Sequence, residues 1–310
     1  MGYKDGESGI SVLLGKETTP GTEASTIATK LGLIQNISSK TGFDMIEGNT
    51  SFSQDRRYAT AGKKIANWDV DFIVQNFQFL YYILGTHAVT GTGPYTHTLS
   101  QANKLPSYSA ELIDDDLGVS LKMLGSKADS LDLKCTAGEE ISASMGWKAM
   151  DHTKEVTPQS AAEIDTDPWV FDQVSVFSLD SVSKVDVATD ISVKYNRNVD
   201  PRTTVGSKTP RFVKEGKRPW ELTIEQYQDD VELYDLVANE TAFATQLKFV
   251  KNASNDEATL TFNQCRVFDP GYGFGGDDAL KESFSVIPYA KSGQTLVTVS
   301  VIDSIADYTA

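Results

Sequence analysis

Period-two alternation of apolar and polar residues constrains the fold of this chain more than any other feature. Trp68, Val70, Phe72 and Val74 alternate with Asp69, Asp71 and Ile73. Ile141, Ala143, Met145, Trp147 and Ala149 alternate with Ser142, Ser144, Gly146 and Lys148. The sets Leu131–Leu133–Cys135, Ile191–Val193–Tyr195 and Val297–Val299–Val301 follow the same rule. Successive side chains of a strand point to opposite faces, so each run predicts a strand with one buried and one wetter face. Strands of this kind joined by polar loops belong to antiparallel sandwiches or barrels rather than to parallel βαβ units. Two stretches read as helices. In QNFQFLYYILG, Phe77, Leu80, Tyr81 and Leu84 take helical spacing and Gly85 offers a stop; in QYQDDVELYDLVANE, Val231, Leu233, Tyr234, Leu236 and Val237 cluster between acids.

The chain also repeats itself. RYATAGKK (Arg57–Lys64) returns as RFVKEGKR (Arg211–Arg218), with Arg57, Gly62, Lys63 and Lys64 falling on Arg211, Gly216, Lys217 and Arg218. A two-residue deletion then brings WDVDF at Trp68 onto WELTI at Trp220, and the FLYYIL helix onto Val231–Leu236. SLDLKC (Ser130–Cys135) is similar to TLTFNQ (Thr259–Gln264), and EISASMGW (Glu140–Trp147) to ALKESFSV (Ala279–Val286). The common order predicts two copies of one small β domain, 1–151 and 170–310, each with one flanking helix. The polar segment 152–169, with two prolines, reads as the linker. A length of 310 residues agrees with two units.

A formal net charge of −15 argues against a general nucleic-acid binder, which needs a basic surface to neutralise phosphates. No apolar run approaches the roughly 20 residues of a membrane helix. The start, MGYKDGESGI, lacks the basic and apolar regions of a secretory signal, so intracellular synthesis and no membrane anchor are expected. Cys135 and Cys265 are far apart and form no CxxC, so neither a disulfide framework nor a Cys-based zinc site is expected. His87 and His97 flank a TGTGPYT loop and His152 sits in the linker, without a further His or Cys at ligand spacing. The aspartates at 114–116 and 165–167 lack the Gly and terminal Glu of a calcium loop and read as solvated turns. GYGFGGDD (Gly271–Asp278) has no Lys and no strand–loop–helix context, so it reads as a flexible turn, not a phosphate cradle. With no GxSxG, HExxH or P-loop, neither catalytic residues nor a cofactor are expected. The basic phrases have two readings, a solvated hairpin tip or a projecting arm that docks on an acidic surface. For an acidic chain with two such arms, the evident partner is a second copy.

The segment LLGKETTPGTEASTIATKLGLI (Leu13–Ile34) resembles the opening of siphovirus-type phage tail tube proteins, through Gly15, Glu17, Gly21 and Thr22. The resemblance continues in order through the Arg-rich loop, the Trp68 strand, FLYYILG, YTHTL, LPSYSAEL and the strands around SLDLKC and EISASMGW. It implies a mainly β fold of two tandem tail-tube-like antiparallel sandwich or barrel domains. It further implies a virion tail protein, made in the host cytoplasm, whose rings stack into a hollow tube for passage of double-stranded DNA. Tape measure, tail terminator and tail-tip proteins would be its neighbours. A long early loop reaches the next ring in that family; here it matches about Asp44–Ala66 and, in duplicate, Val199–Pro219. The implied stacking residues are Arg56, Arg57, Lys63, Lys64, Arg211, Lys214, Lys217 and Arg218. Asp69, Asp71 and Glu221 become candidates to face the lumen, where negative charge repels DNA. Two domains per chain predict a trimeric ring with pseudo-sixfold symmetry; six chains with one tube domain each are the alternative. A carbohydrate-binding or surface-array β-sandwich, a hydrolase with two close carboxylates, and a single-ring connector or terminator are the competing functions.

Overall fold

The structure, a computed structural model, describes residues 9–48, 58–114, 118–155, 157, 159–160, 164, 167–227, 235–236, 238–251, 256–273, 281–291 and 295–308. The first half contains β1 (Ile10–Lys16), β2 (Thr29–Lys30), β3 (Leu33–Gly48), β4 (Tyr58–Ile73), α1 (Phe79–Leu84), β5 (Gly85–Thr90), β6 (Tyr95–Gln101), β7 (Tyr108–Asp114), β8 (Val119–Thr136), β9 (Ser142–Lys148) and β10 (Asp151–Glu155). The second contains β11 (Val174–Leu179), β12 (Val182–Ser183), β13 (Ala188–Asn196), β14 (Asp200–Arg202), β15 (Phe212–Lys214), β16 (Trp220–Tyr227), β17 (Phe243–Lys251), β18 (Asp256–Gly273), β19 (Lys281–Pro288) and β20 (Val297–Asp303). The fold is mainly β and its strand pairings are antiparallel, as the alternation predicts.

One run of pairings crosses the whole chain: β3–β4–β9–β8–β13–β16–β19–β18. Its first four strands are joined in the same manner as its last four. The strands behind it repeat as well. β7 pairs with β1 and β8 as β17 pairs with β11 and β18. β10 lies on β8 as β20 lies on β18. β8 and β18 are shared between layers. Val119–Ser126 of β8 serves β7 and β10, and Lys127–Thr136 serves β9 and β13. Among the described residues the β5–β6 hairpin has no counterpart in the second half; it extends the rear sheet by pairing with β20.

The residue registers correct part of the sequence alignment. Leu131 lies opposite Met145 and Val267 opposite Val286, while Met145 and Val286 stand against Val70 and Leu222. Met145 therefore corresponds to Val286 rather than to Phe284, and Ser130 to Arg266 rather than to Thr259. The sequence match found the right strands but slid along them. The slide is two residues in β19, which a period-two pattern tolerates, and seven in β18, where an irregularity between Phe262 and Cys265 changes the phase.

The apolar faces of both halves form one contiguous core. Trp68, Val70, Phe72, Met145 and Trp147 join Tyr195, Trp220, Leu222, Ile224, Phe262 and Val286 in it. Trp68 and Trp147 stack with centroids 4.9 Å apart, and Trp220 stacks on Tyr195 at 4.0 Å. The six residues of α1 are all buried and join the core. The helix stops at Gly85, whose φ of 89° suits a residue without a Cβ. The second expected helix lies mostly outside the described residues; Gln226 and Tyr227 end β16, and residues 235–236 and 238 are helical. The stretch read as a linker opens inside β10, with His152 in that strand, and Trp169 is buried in the core. Gly271–Gly273, read as part of a turn, belong to β18, and the rest of GYGFGGDD lies outside the described residues. Asp114 ends β7, and Asp115 and Asp116 lie outside the described residues, as does Asp165.

Replacing Trp147 by Ala removes the stacking partner of Trp68 from a site that has no solvent to fill it. We expect a loss of about 3–5 kcal/mol in urea unfolding of the unassembled chain.

Candidate assembly interface

The described residues of 44–66, expected as a loop, form a two-stranded ribbon, because β3 and β4 stay paired from Leu33↔Ile73 out to Gly48↔Tyr58. Arg56 and Arg57 lie outside the described residues. Neither glycine of the basic phrases is a hinge. Gly62 sits beside a bulge in the ribbon, where a Cβ would come within 3.0 Å of the Ile46 side chain and 3.1 Å of the Asp44 carbonyl. At Gly216 a Cβ would meet Asn198 at 2.9 Å. Both positions need glycine for close approach.

The structure brings the two basic phrases together at one end of the large sheet. After β13, the chain turns through the β14–β15 hairpin and returns to β16. The Lys64 amide donates to the Lys208 carbonyl at 2.8 Å, and the Lys63 ammonium lies 4.0 Å from Asp200. The Lys64 ammonium is bound inside the chain by the Asp151 carboxylate and by the His152 carbonyl at 3.3 Å. Arg218 donates to the Asn103 side chain at 3.0 Å. Arg211, Lys214 and Lys217 are exposed.

A buried ion pair that the sequence reading missed anchors the second phrase. Lys127 of β8 meets Glu215 at 2.6 Å and donates to the Val213 carbonyl at 3.3 Å, while the Leu105 amide donates to Glu215 at 3.0 Å. Burial alone would push the Glu215 carboxyl up. The hydrogen bond and charge of Lys127, with the Leu105 amide, outweigh it and hold the group below its ordinary 4.5. Asp129 completes this joint: its carbonyl accepts from the Arg197 amide, its carboxylate accepts from the Val199 amide, and Lys148 lies 2.7 Å away. These partners are far apart in sequence, and the only local sign was a lysine and an acid inside runs otherwise destined for the core.

Asp69, Asp71 and Glu221 all project from the face of the large sheet opposite the tryptophan core. Asp71 accepts from Ser144 and from Asn36, Asp69 from Ser38 at 3.3 Å, and Glu221 from Ser285 at 3.3 Å. Burial, followed by the charges of Asp71 and Asp129, raises the Asp69 carboxyl above its ordinary value against the lowering by Ser38 and Lys148. Asp132, Asp190 and Glu225 share this face, but so do Lys134, Lys148 and Lys194. The face is a serine-rich mixture of both signs, not a one-sign acidic field.

Two stretches of the large sheet leave an edge open. Among the described residues, β3 pairs only with β4, and Arg266–Gly273 of β18 only with β19. Their counterparts within the chain, β13 and the second half of β8, pair with each other from Asp190↔Thr136 to Asn196↔Ser130.

Other polar clusters hold the structure together. His87 and His97 are 2.7 Å apart, His97 contacts Asp303 at 3.1 Å, and Tyr308 donates to Asp303. Burial and the neighbouring His97 lower the His87 pKa. No group of three or more His, Cys, Asp or Glu side chains among the described residues is placed to hold a metal ion, and no described helix is long and apolar enough to cross a membrane. Burial pushes the Cys135 thiol up to about 12 and the Cys265 thiol up to about 11, so both stay protonated and unreactive.

Because the Glu215 pKa in the fold lies below its unfolded value, this pair stabilises the chain above about pH 4.5 and stops doing so as pH falls through the folded pKa. Glu215→Gln should lower stability at pH 7 by about 3 kcal/mol, since it leaves Lys127 buried without its counter-charge. It should also flatten the acid limb of a stability–pH curve measured by urea unfolding.

A family model described as phage tail tube protein matches residues 7–288. No curated protein matches the chain.

Proposed function

The chain belongs to the phage tail tube protein family, and from that premise we propose that three copies close into a ring through the open edges of β3 and β18. It is a structural component of the virion tail. The observation that carries the ring proposal is the internal joint between β8 and β13, which repeats in form the joint that the free edges require. We read the chain as two tandem copies of one tube domain, with β3 equivalent to β13 and β18 to β8.

The internal register can be transferred residue by residue. Tyr195 faces Trp220 as Ser39 faces Trp68, and Leu131 corresponds to Val267. Since Leu131 pairs with Tyr195 and Asp132 with Lys194, the joint between chains should set Val267 against Ser39 and Phe268 against Ser38. An open edge exposes unpaired backbone groups and is an aggregation hazard unless a neighbour covers it. Here the neighbour is the next subunit, which turns the hazard into the assembly device.

Geometry sets the number of chains. Eight strands from each of three chains give a barrel of twenty-four. At about 4.8 Å between strands and 35–45° of tilt, its backbone diameter is roughly 45–50 Å. Six such chains would double that bore, far beyond what one DNA duplex needs. The serine-rich face bearing Asp69, Asp71 and Glu221 then lines the lumen. Its mixed charges give phosphates no basic surface to settle on, which suits a conduit that must not retain DNA. The end that carries Arg211, Lys214 and Lys217, with Lys63, Lys64 and Arg218 bracing its two hairpins, is the end that stacks on the next ring. Tape measure, tail terminator and tail-tip proteins are the remaining partners of a tube built this way.

Ser38 and Phe268 are both exposed in the single chain. The double variant Ser38→Cys, Phe268→Cys should form disulfides between chains on assembly, and the ladder on a non-reducing gel should end at three chains. A ladder that continues to six would refute the trimer, and a chain that never cross-links would refute the edge pairing.

A further inference from the structure

We propose that successive rings are held in one direction by an apolar knob, Val205, which seats in a cleft at the opposite end of a subunit in the next ring. This rests on the tube reading above and adds to it the side chains that make the axial contact. The knob is a built feature. Val205 is 107% exposed, at the tip of the β14–β15 hairpin. The Ser207 amide closes the turn on the Thr204 carbonyl at 3.1 Å, and Gly206 takes a φ of 91°, which a residue with a Cβ rarely adopts. The Arg211 amide donates to the Arg202 carbonyl at 2.9 Å, and the hairpin is tied to the body through Lys208 and Lys64. A valine held fully in water on an ordered turn gains nothing for the isolated chain.

The cleft lies at the other end of the same strands. It opens beside the start of β13 and the end of β8, between Phe171, Val185 and Ala188, with Asp172 and Asp190 at its lip. Its volume is about 220 Å³, several times the roughly 30 Å³ of one water. Phe171 is 42% exposed there. β13 runs nine residues from the cleft toward the hairpin, so knob and cleft are separated by about 30 Å along the sheet. They cannot meet within one chain.

Charge follows the same polarity. The hairpin end exposes Arg202, Lys208, Arg211, Lys214 and Lys217, with Lys40 on the adjoining ribbon, against Asp200, Asp44 and Glu47. The cleft end exposes Glu139, Glu140, Asp172, Asp186 and Glu225, against Lys281. Opposite charge at opposite ends fits a second copy stacked head to tail and disfavours head-to-head contact. A heterologous contact of this kind does not close on itself along its axis, so it generates an open filament. The basic residues steer the approach, and the apolar contact fixes the seat.

The test is electron microscopy of Val205→Glu beside the parent chain, together with non-reducing gels of Val205→Cys, Phe171→Cys. Val205 has no contacts to lose, so the substitution should fold as the parent does. We expect the parent to form tubes, Val205→Glu to stop at single rings, and the double cysteine variant to link chains of different rings along the tube. Normal tubes from Val205→Glu, or no cross-link in assembled tubes, would overturn this inference and leave the tube reading standing. A parent chain that forms neither rings nor tubes would overturn both.

Discussion

The antiparallel joint between β8 and β13 is the interaction on which the rest of this structure depends. It turns two four-stranded sheets into one of eight, and it lets the apolar faces of both halves share a single core. Lys127, Glu215 and Asp129 pin its upper end, where the chain leaves β13 for the hairpin that crosses to β16. A joint buried in this way cannot be optional: a break there would leave a lysine without its counter-charge and uncover a row of backbone groups. Among the described residues, β3 and the last stretch of β18 lack such a joint on their outer sides, and the proposed ring supplies it there.

On the proposed reading of two tandem copies, duplication within one chain would fix what separate copies leave free. Two linked halves would need only one kind of joint between chains, since the seam inside each chain is made during folding rather than by diffusion. Its loops also diverge. In the second half the extension after β13 has become the β14–β15 hairpin, and in the first half it is the paired β3–β4 ribbon. Lys63 and Lys64 brace one against the other. The basic phrase that recurs in the sequence is therefore mostly a fastening between two hairpins, with Arg211, Lys214 and Lys217 left facing outward.

Much of this was legible in the sequence because burial imposes period two on every strand that has one face on a core. The alternation around Trp68, Trp147, Tyr195 and Val299 identifies strands without reference to their partners. The same periodicity made the alignment of the halves imprecise, since Met145 can be laid on Phe284 as plausibly as on its counterpart Val286 until hydrogen-bonded neighbours fix the register. Long-range polar contacts were not legible. Nothing near Lys127 announces Glu215, and nothing in the run of Gly62 or Gly216 distinguishes a bend from a close approach. The mixed charge of the polar face was hidden too. Net charge is a property of the whole surface, while Lys134, Lys148 and Lys194 take their positions from strand register.

The central claim is that β3 of one chain completes the sheet of the next at β18, with three chains to a ring. A density map of the assembled tube by cryo-electron microscopy tests it most directly. The account predicts three chains per ring and a continuous barrel of twenty-four strands in which Val267 lies opposite Ser39 of the neighbouring chain. Six chains per ring, or subunits joined through any surface other than these two edges, would contradict it.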